Sequence, residues 1–133
     1  MAWSEIFEVF VVCHLAGDFL LQTNWQALNK AGGLGRDPLK RRALASHIFT
    51  YTLCFVPAFV WIGIERSPAW AVAAAALISI PHWIQDDGRL VVFFAKRVKK
   101  LGDPPDPVPV YLMVDQSFHV LAMFGLALLI GLE

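Results

Sequence analysis

Polar and apolar positions in this chain are segregated into long blocks. Apolar stretches run from about Glu5 to Gln22, Ala43 to Ile64, Trp70 to Asp86 and Val110 to Leu132. Their lengths lie near the roughly 20 residues that a bilayer-crossing helix needs, and no polar/apolar alternation interrupts them. The pattern predicts an all-α membrane protein with four transmembrane helices in a bundle, and residues 1–133 forming a single transmembrane domain. The first block is the least apolar, because it contains Glu8 and Asp18. Those acids, and the lack of a basic start, argue against a cleaved signal peptide.

The connections differ in kind. Residues 23–42 are polar, contain Gly32, Gly33 and Gly35, and end in Lys40-Arg41-Arg42. Glu65 to Ala69 is a short turn. Residues 87–109 open with a basic stretch, Arg89–Leu101, and continue into Asp103-Pro104-Pro105-Asp106-Pro107. That proline run is expected to be extended. In Arg89–Leu101, Leu90, Phe94, Val98 and Leu101 share a helical face, with Lys96, Arg97 and Lys100 mostly off it. This predicts an amphipathic cytoplasmic helix between the third and fourth spans, lying in the headgroup plane against anionic lipid.

Composition agrees with a membrane setting. Hydrophobic residues make up 57% of the 133 and charged residues 17%, against about 25% in soluble domains. The mean hydropathy is +0.56. Disorder is excluded by this composition. Two cysteines do not make a disulfide scaffold, and eleven basic residues balance eleven acidic ones, which gives no footing for nucleic acid. Ten of those eleven basic residues lie in the two long connections. The positive-inside rule then places both connections in the cytoplasm and both termini outside it, in the plasma (inner) membrane of the cell. Four spans make a thin bundle, so a homodimer is a reasonable assembly.

The chemistry lies in the histidines. There are four, one per block: His14, His47, His82 and His119. Each has a polar partner four positions away: Asp18, Tyr51, Asp86 and Asp115. On an α-helix such pairs share a face. The expected topology brings all four pairs to a similar depth on the cytoplasmic side. Ionisable groups in hydrocarbon face the bundle interior. His14, Asp18, His47, His82, Asp86, Asp115 and His119 are therefore candidate ligands for a divalent metal. Zinc is the first choice, with manganese or iron as alternatives. Seven candidates exceed the four positions of one tetrahedral zinc, which points to two metals sharing a carboxylate. The plainer reading is a set of hydrogen-bonded polar pairs gluing helices together. Gln22, Gln85, Asp87 and Gln116 are placed to support the ligands, although Asp87 also reads as a solvated helix end. Gly17 reads as a close-approach position, and Pro81 as a kink before His82. Cys13 and Cys54 read as small apolar residues.

The run His14-Leu15-Ala16-Gly17-Asp18-Phe19-Leu20-Leu21-Gln22-Thr23-Asn24-Trp25, with Asn29-Lys30 after it, resembles the opening motif of the DUF3307 family. His47 with Tyr51-Thr52, His82 with Asp86, and Asp115-Gln116 followed by His119 are similar to its later pieces, in order. The resemblance covers essentially the whole chain. It implies a small prokaryotic integral membrane protein and supplies no activity. One departure is that Asp87-Gly88-Arg89 follows the third motif, where a lysine often stands in the family. The His-x-x-x-Asp spacing is also similar to that of all-helical zinc phospholipases C and nucleases, by analogy of spacing alone.

Three functions compete. The first is a metal-dependent hydrolase of a lipid-linked or phosphoester substrate at the cytoplasmic interface. Asp86 or Asp115 would then be the base and Arg89 or Lys30 a holder of phosphate, while Tyr51 would be a general acid, a donor that supports a ligand, or simply an interfacial tyrosine. The second is a metal-stabilised, non-catalytic bundle or sensor. The third, a metal or proton transporter, is disfavoured: Phe55–Ile64, Ala71–Ile80 and Ala122–Leu132 carry no ionisable group that could line a path.

Overall fold

The computed structural model describes residues 1–102 and 108–132, and every regular element among them is helical. The expected extended run 103–107 lies outside the described residues. Helix α1 spans Trp3–Leu15 and passes directly into a π-helical turn over Ala16–Leu20. Helix α2 is Asn24–Asn29. It starts at a reciprocal cap, in which Thr23 Oγ1 accepts from Gln26 N and Gln26 Oε1 accepts from Thr23 N. Helix α3, Pro38–Cys54, begins where Asp37 accepts from Leu39 N and Lys40 N, with a proline in the first turn that has no amide hydrogen to leave unpaired. Helix α4 follows as Val56–Glu65. Helix α5, Pro68–Asp86, is capped by Ser67 and runs through Pro81. Helices α6, Arg89–Arg97, and α7, Val108–Leu132, complete the chain.

The expectation of four transmembrane helices is not met. Among the described residues one helix, Pro109–Leu132, is long and apolar enough to cross a membrane. A second candidate exists only if α3 and α4, bent by 47° at their junction, count as one broken span. The local causes are clear. With 13 residues, α1 covers only about 20 Å, short of the ~30 Å hydrocarbon thickness. The second block is interrupted at Phe55, where Pro57 enters the first turn of α4 without an amide hydrogen to continue the ladder. Helix α3 also starts earlier than expected and takes in Lys40, Arg41 and Arg42. Helix α5 is long enough, but it is alanine-rich and its last turns carry Pro81, His82, Gln85 and Asp86.

Two apolar clusters hold the helices together. The larger joins Ile6 and Phe10 of α1, Tyr51 of α3, Phe55 at the break, Ile62 of α4, Ala74 and Ile78 of α5, and Met123, Ala127 and Ile130 of α7. A Cβ on Gly131 would fall 2.5 Å from Trp3 Cβ, so glycine is what lets α1 and α7 meet there. The smaller cluster pairs Val91 and Ala95 of α6 with Tyr111 and Val114 of α7. The amphipathic helix at Arg89 is therefore present, but its buried face is offset from the expected one. Leu90, Phe93 and Val98 remain exposed.

Candidate metal centre

The π-turn sets the first part of the site. Leu21 N bonds to Ala16 O at 2.9 Å, five residues back, which widens the turn and re-aims Asp18. Its Oδ1 then lies 3.2 Å from His47 Nε2 of α3 and 3.5 Å from His82 Nε2 of α5. The two histidine Nε2 atoms are 3.2 Å apart. Asp86 Oδ2 completes the group at 2.8 Å from His47 Nε2 and 3.3 Å from His82 Nε2. All four residues are buried. Four atoms bound to one zinc at about 2.0–2.1 Å would stand about 3.3 Å from one another at the corners of a tetrahedron. The five separations here scatter around that spacing. Asp18 Oδ1 has no well-aligned hydrogen-bond donor among the described residues despite these short distances. The nitrogens crowd the carboxylate without bonding to it in hydrogen-bond geometry.

A second group shares Asp86. It consists of Asp86, Asp115 and His119, with ligand atoms within 4.8 Å of one another. His119 Nδ1 lies 2.8 Å from the backbone carbonyl of Asp115. That contact holds the ring so that Nε2 is buried, 3.4 Å from Asp86 Oδ1 and without a well-aligned hydrogen bond. Asp86 Oδ1 is likewise unbonded. The side chain of Asp115 keeps 24% of its surface exposed, while those of His119 and Asp86 keep 1% each. The first group offers four atoms that could hold one ion, all from buried residues. The second offers three, one of them from the partly exposed Asp115.

Lys30 is the cation of the site. Its Nζ donates to Asp86 Oδ2 at 2.8 Å and to Gln22 Oε1 at 2.5 Å. Burial alone would raise the carboxyl of Asp86. The approach of His119 and His47 and the charge of Lys30 outweigh it and hold the group well below the usual carboxylate range. Asp18 is depressed in the same sense, with His47 outweighing the effect of burial.

His14 stands beside the two groups. Its Nδ1 pairs with Tyr51 Oη at 3.0 Å and its Nε2 with Gln116 Oε1 at 2.9 Å, so both ring nitrogens are engaged. Its nearest carboxylate oxygen, Asp18 Oδ2, is 3.6 Å away. Tyr51 is buried with its ring on His82. Gln85 serves packing: its Nε2 donates to Phe118 O across α5 and α7. Asp87 is buried and ties the glycine-rich turn down, accepting from Leu34 N at 2.8 Å and from Arg89. That ion pair raises the pKa of Arg89. Sequence spacing alone did not reveal this clamp, because its partner lies 53 positions away. Cys13 and Cys54 are free and belong to neither ligand group.

A family model described as a protein of unknown function, DUF3307, matches residues 6–132. The chain belongs to the DUF3307 family. The match spans all the ligand candidates, from His14 to His119, so the family assignment and the site concern the same stretch of chain. No curated protein matches it, and no solved structure does.

Proposed function

We propose that this DUF3307 protein is a metal-dependent hydrolase with two divalent ions, zinc first among them, sharing Asp86. The supporting observation is the convergence of ligand atoms from the π-turn, α3, α5 and α7 on that one carboxylate. The closed group, Asp18, His47, His82 and Asp86, would hold one ion as a fixed anchor. The three-ligand group, Asp86, Asp115 and His119, would leave a position for water, whose pKa a metal lowers to about 7. Lys30 beside Asp86 suits an anionic substrate, and a phosphoester fits that charge. Helix α7 supports work at a membrane: only 33% of its apolar window is buried within the fold. A bilayer with anionic headgroups, or a second copy of the chain, would cover the exposed apolar side chains Met113, Leu121 and Leu129.

One observation favours a second reading, a metal-stabilised protein without catalysis. The four-ligand group is buried and filled by protein alone, as structural zinc sites are. Metal analysis of protein purified without chelators, combined with assay on a chromogenic phosphodiester, separates the two. Bound metal with hydrolysis that fails in Asp115→Asn supports the hydrolase. Bound metal without hydrolysis supports the structural reading. Protein free of metal, with His82→Ala indistinguishable from wild type, overturns both.

A further inference from the structure

We propose a second binding site, separate from the metal centre, for a phosphate-type oxyanion carried on an organic group. It is a cavity of about 610 Å3 lined by Gly33, Gly35, Arg41, Arg42 and Trp83. The cavity lies between the glycine-rich turn that follows α2 and the first turns of α3. This proposal does not depend on the metal reading.

Three features of the cavity point to an oxyanion. First, Arg41 and Arg42 have no carboxylate partner among the described residues. The nearby acid, Asp37, is occupied in capping α3, where its Oδ1 accepts from Leu39 N and Lys40 N. Two unpaired guanidinium groups beside one cavity offer planar, forked donors that match phosphate oxygens.

Second, the wall opposite them is fixed. Gly32 N donates to Asp87 O, Gly33 N to Lys30 O, Leu34 N to Asp87 Oδ1 and Gly35 N to Gly32 O, all between 2.8 and 3.0 Å. Gly33 is pressed against α3: a Cβ there would lie 2.6 Å from Leu44 Cβ and 2.7 Å from the Lys40 carbonyl oxygen. These amides are spent within the turn, so this is not a loop that cradles phosphate with backbone N–H groups. The guanidinium groups must do the binding, against a surface that needs no ordering when the ligand arrives.

Third, Trp83 borders the cavity with 42% of its surface exposed. An indole offers a flat apolar face and one N–H donor. That suits the organic part of a phosphoester better than a bare ion. A lipid headgroup and a soluble phosphoester share this chemistry.

The test uses the full chain in detergent micelles. Tryptophan emission is titrated with inorganic phosphate and with glycerol 3-phosphate. Flotation is measured with phosphatidylcholine vesicles that contain or lack phosphatidylglycerol. The expected result is saturable binding in at least one arm, weakened at least about tenfold in Arg41→Gln/Arg42→Gln and unchanged in Arg97→Gln. The emission change should vanish in Trp83→Phe. Response to glycerol 3-phosphate identifies a soluble ligand, and response to anionic vesicles alone identifies a headgroup. Both substituted arginines are exposed, and circular dichroism checks that the double variant keeps its helices. The proposal is overturned if no arm binds, if the double variant binds like wild type, or if Arg97→Gln weakens binding equally.

Discussion

Tyr51 lies flat on His82, with ring centroids 3.5 Å apart and planes within 9°. Gly17 also presses on the tyrosine ring: a Cβ there would come within 2.6 Å of Tyr51 Cδ2. The tyrosine is thus a spacer between the π-turn and α5, and it sets how far Asp18 stands from His82. Gly17→Ala should therefore destabilise the fold by about 1–3 kcal/mol and weaken metal binding as the turn is pushed away. Thermal melting and metal titration check this, and an unchanged melting temperature would disprove the tight fit.

Asp86 is the residue the two ligand groups share, and Asp115 belongs to one of them. Wild type should carry about two divalent ions per chain, Asp115→Asn about one, and Asp86→Asn essentially none. Elemental analysis after gel filtration reads these counts directly. Equal counts in the two variants would refute the shared carboxylate.

Lys30 and a metal ion would compete for the same oxygen, since Lys30 Nζ already sits 2.8 Å from Asp86 Oδ2. Lys30→Met should tighten metal binding by removing a competing like charge. It should also raise the KM for an anionic phosphoester. Calorimetric titration with zinc tests the first effect, and weaker binding in the variant would show that Lys30 supports the site instead.

Asp87→Ala removes the acceptor for Leu34 N and the partner of Arg89. Losing the buried acceptor should cost about 1–3 kcal/mol, felt first in the glycine-rich turn. Hydrogen exchange at Leu34 should quicken selectively. Protection equal to wild type would mean the turn is held by other contacts.

Much of the centre was legible in the sequence. His82 with Asp86 and Asp115 with His119 come together because each pair sits on one regular helix, where four-residue spacing is a reliable guide. His14 and Asp18 also stay close, with Nδ1 3.6 Å from Oδ2, although a π-turn that nothing in Ala16-Gly17-Asp18 announces begins between them. What the spacing did not show is that His14 pairs with Tyr51 and Gln116 and stands outside both groups. The four-span expectation failed for a different reason. Apolar run length measures composition, whereas a span needs an unbroken helix, and Phe55 is where the second block breaks. The buried face of α6 depends on which side of α7 it meets, a tertiary fact that its own periodicity does not contain. Asp87 looked like a solvated end because its partners are far away in sequence.

The order of ligands along the chain has a consequence for biosynthesis. Asp18, His47, His82 and Asp86 all precede α6 and α7, whereas Asp115 and His119 lie within α7. The four-ligand group therefore exists in full while the last helix is still being made, and the three-ligand group cannot. A chain that emerges N-terminus first would close its anchoring centre early and its open centre last. If the two ions bind as proposed, a nascent protein arrested before α7 would hold the first and lack the second.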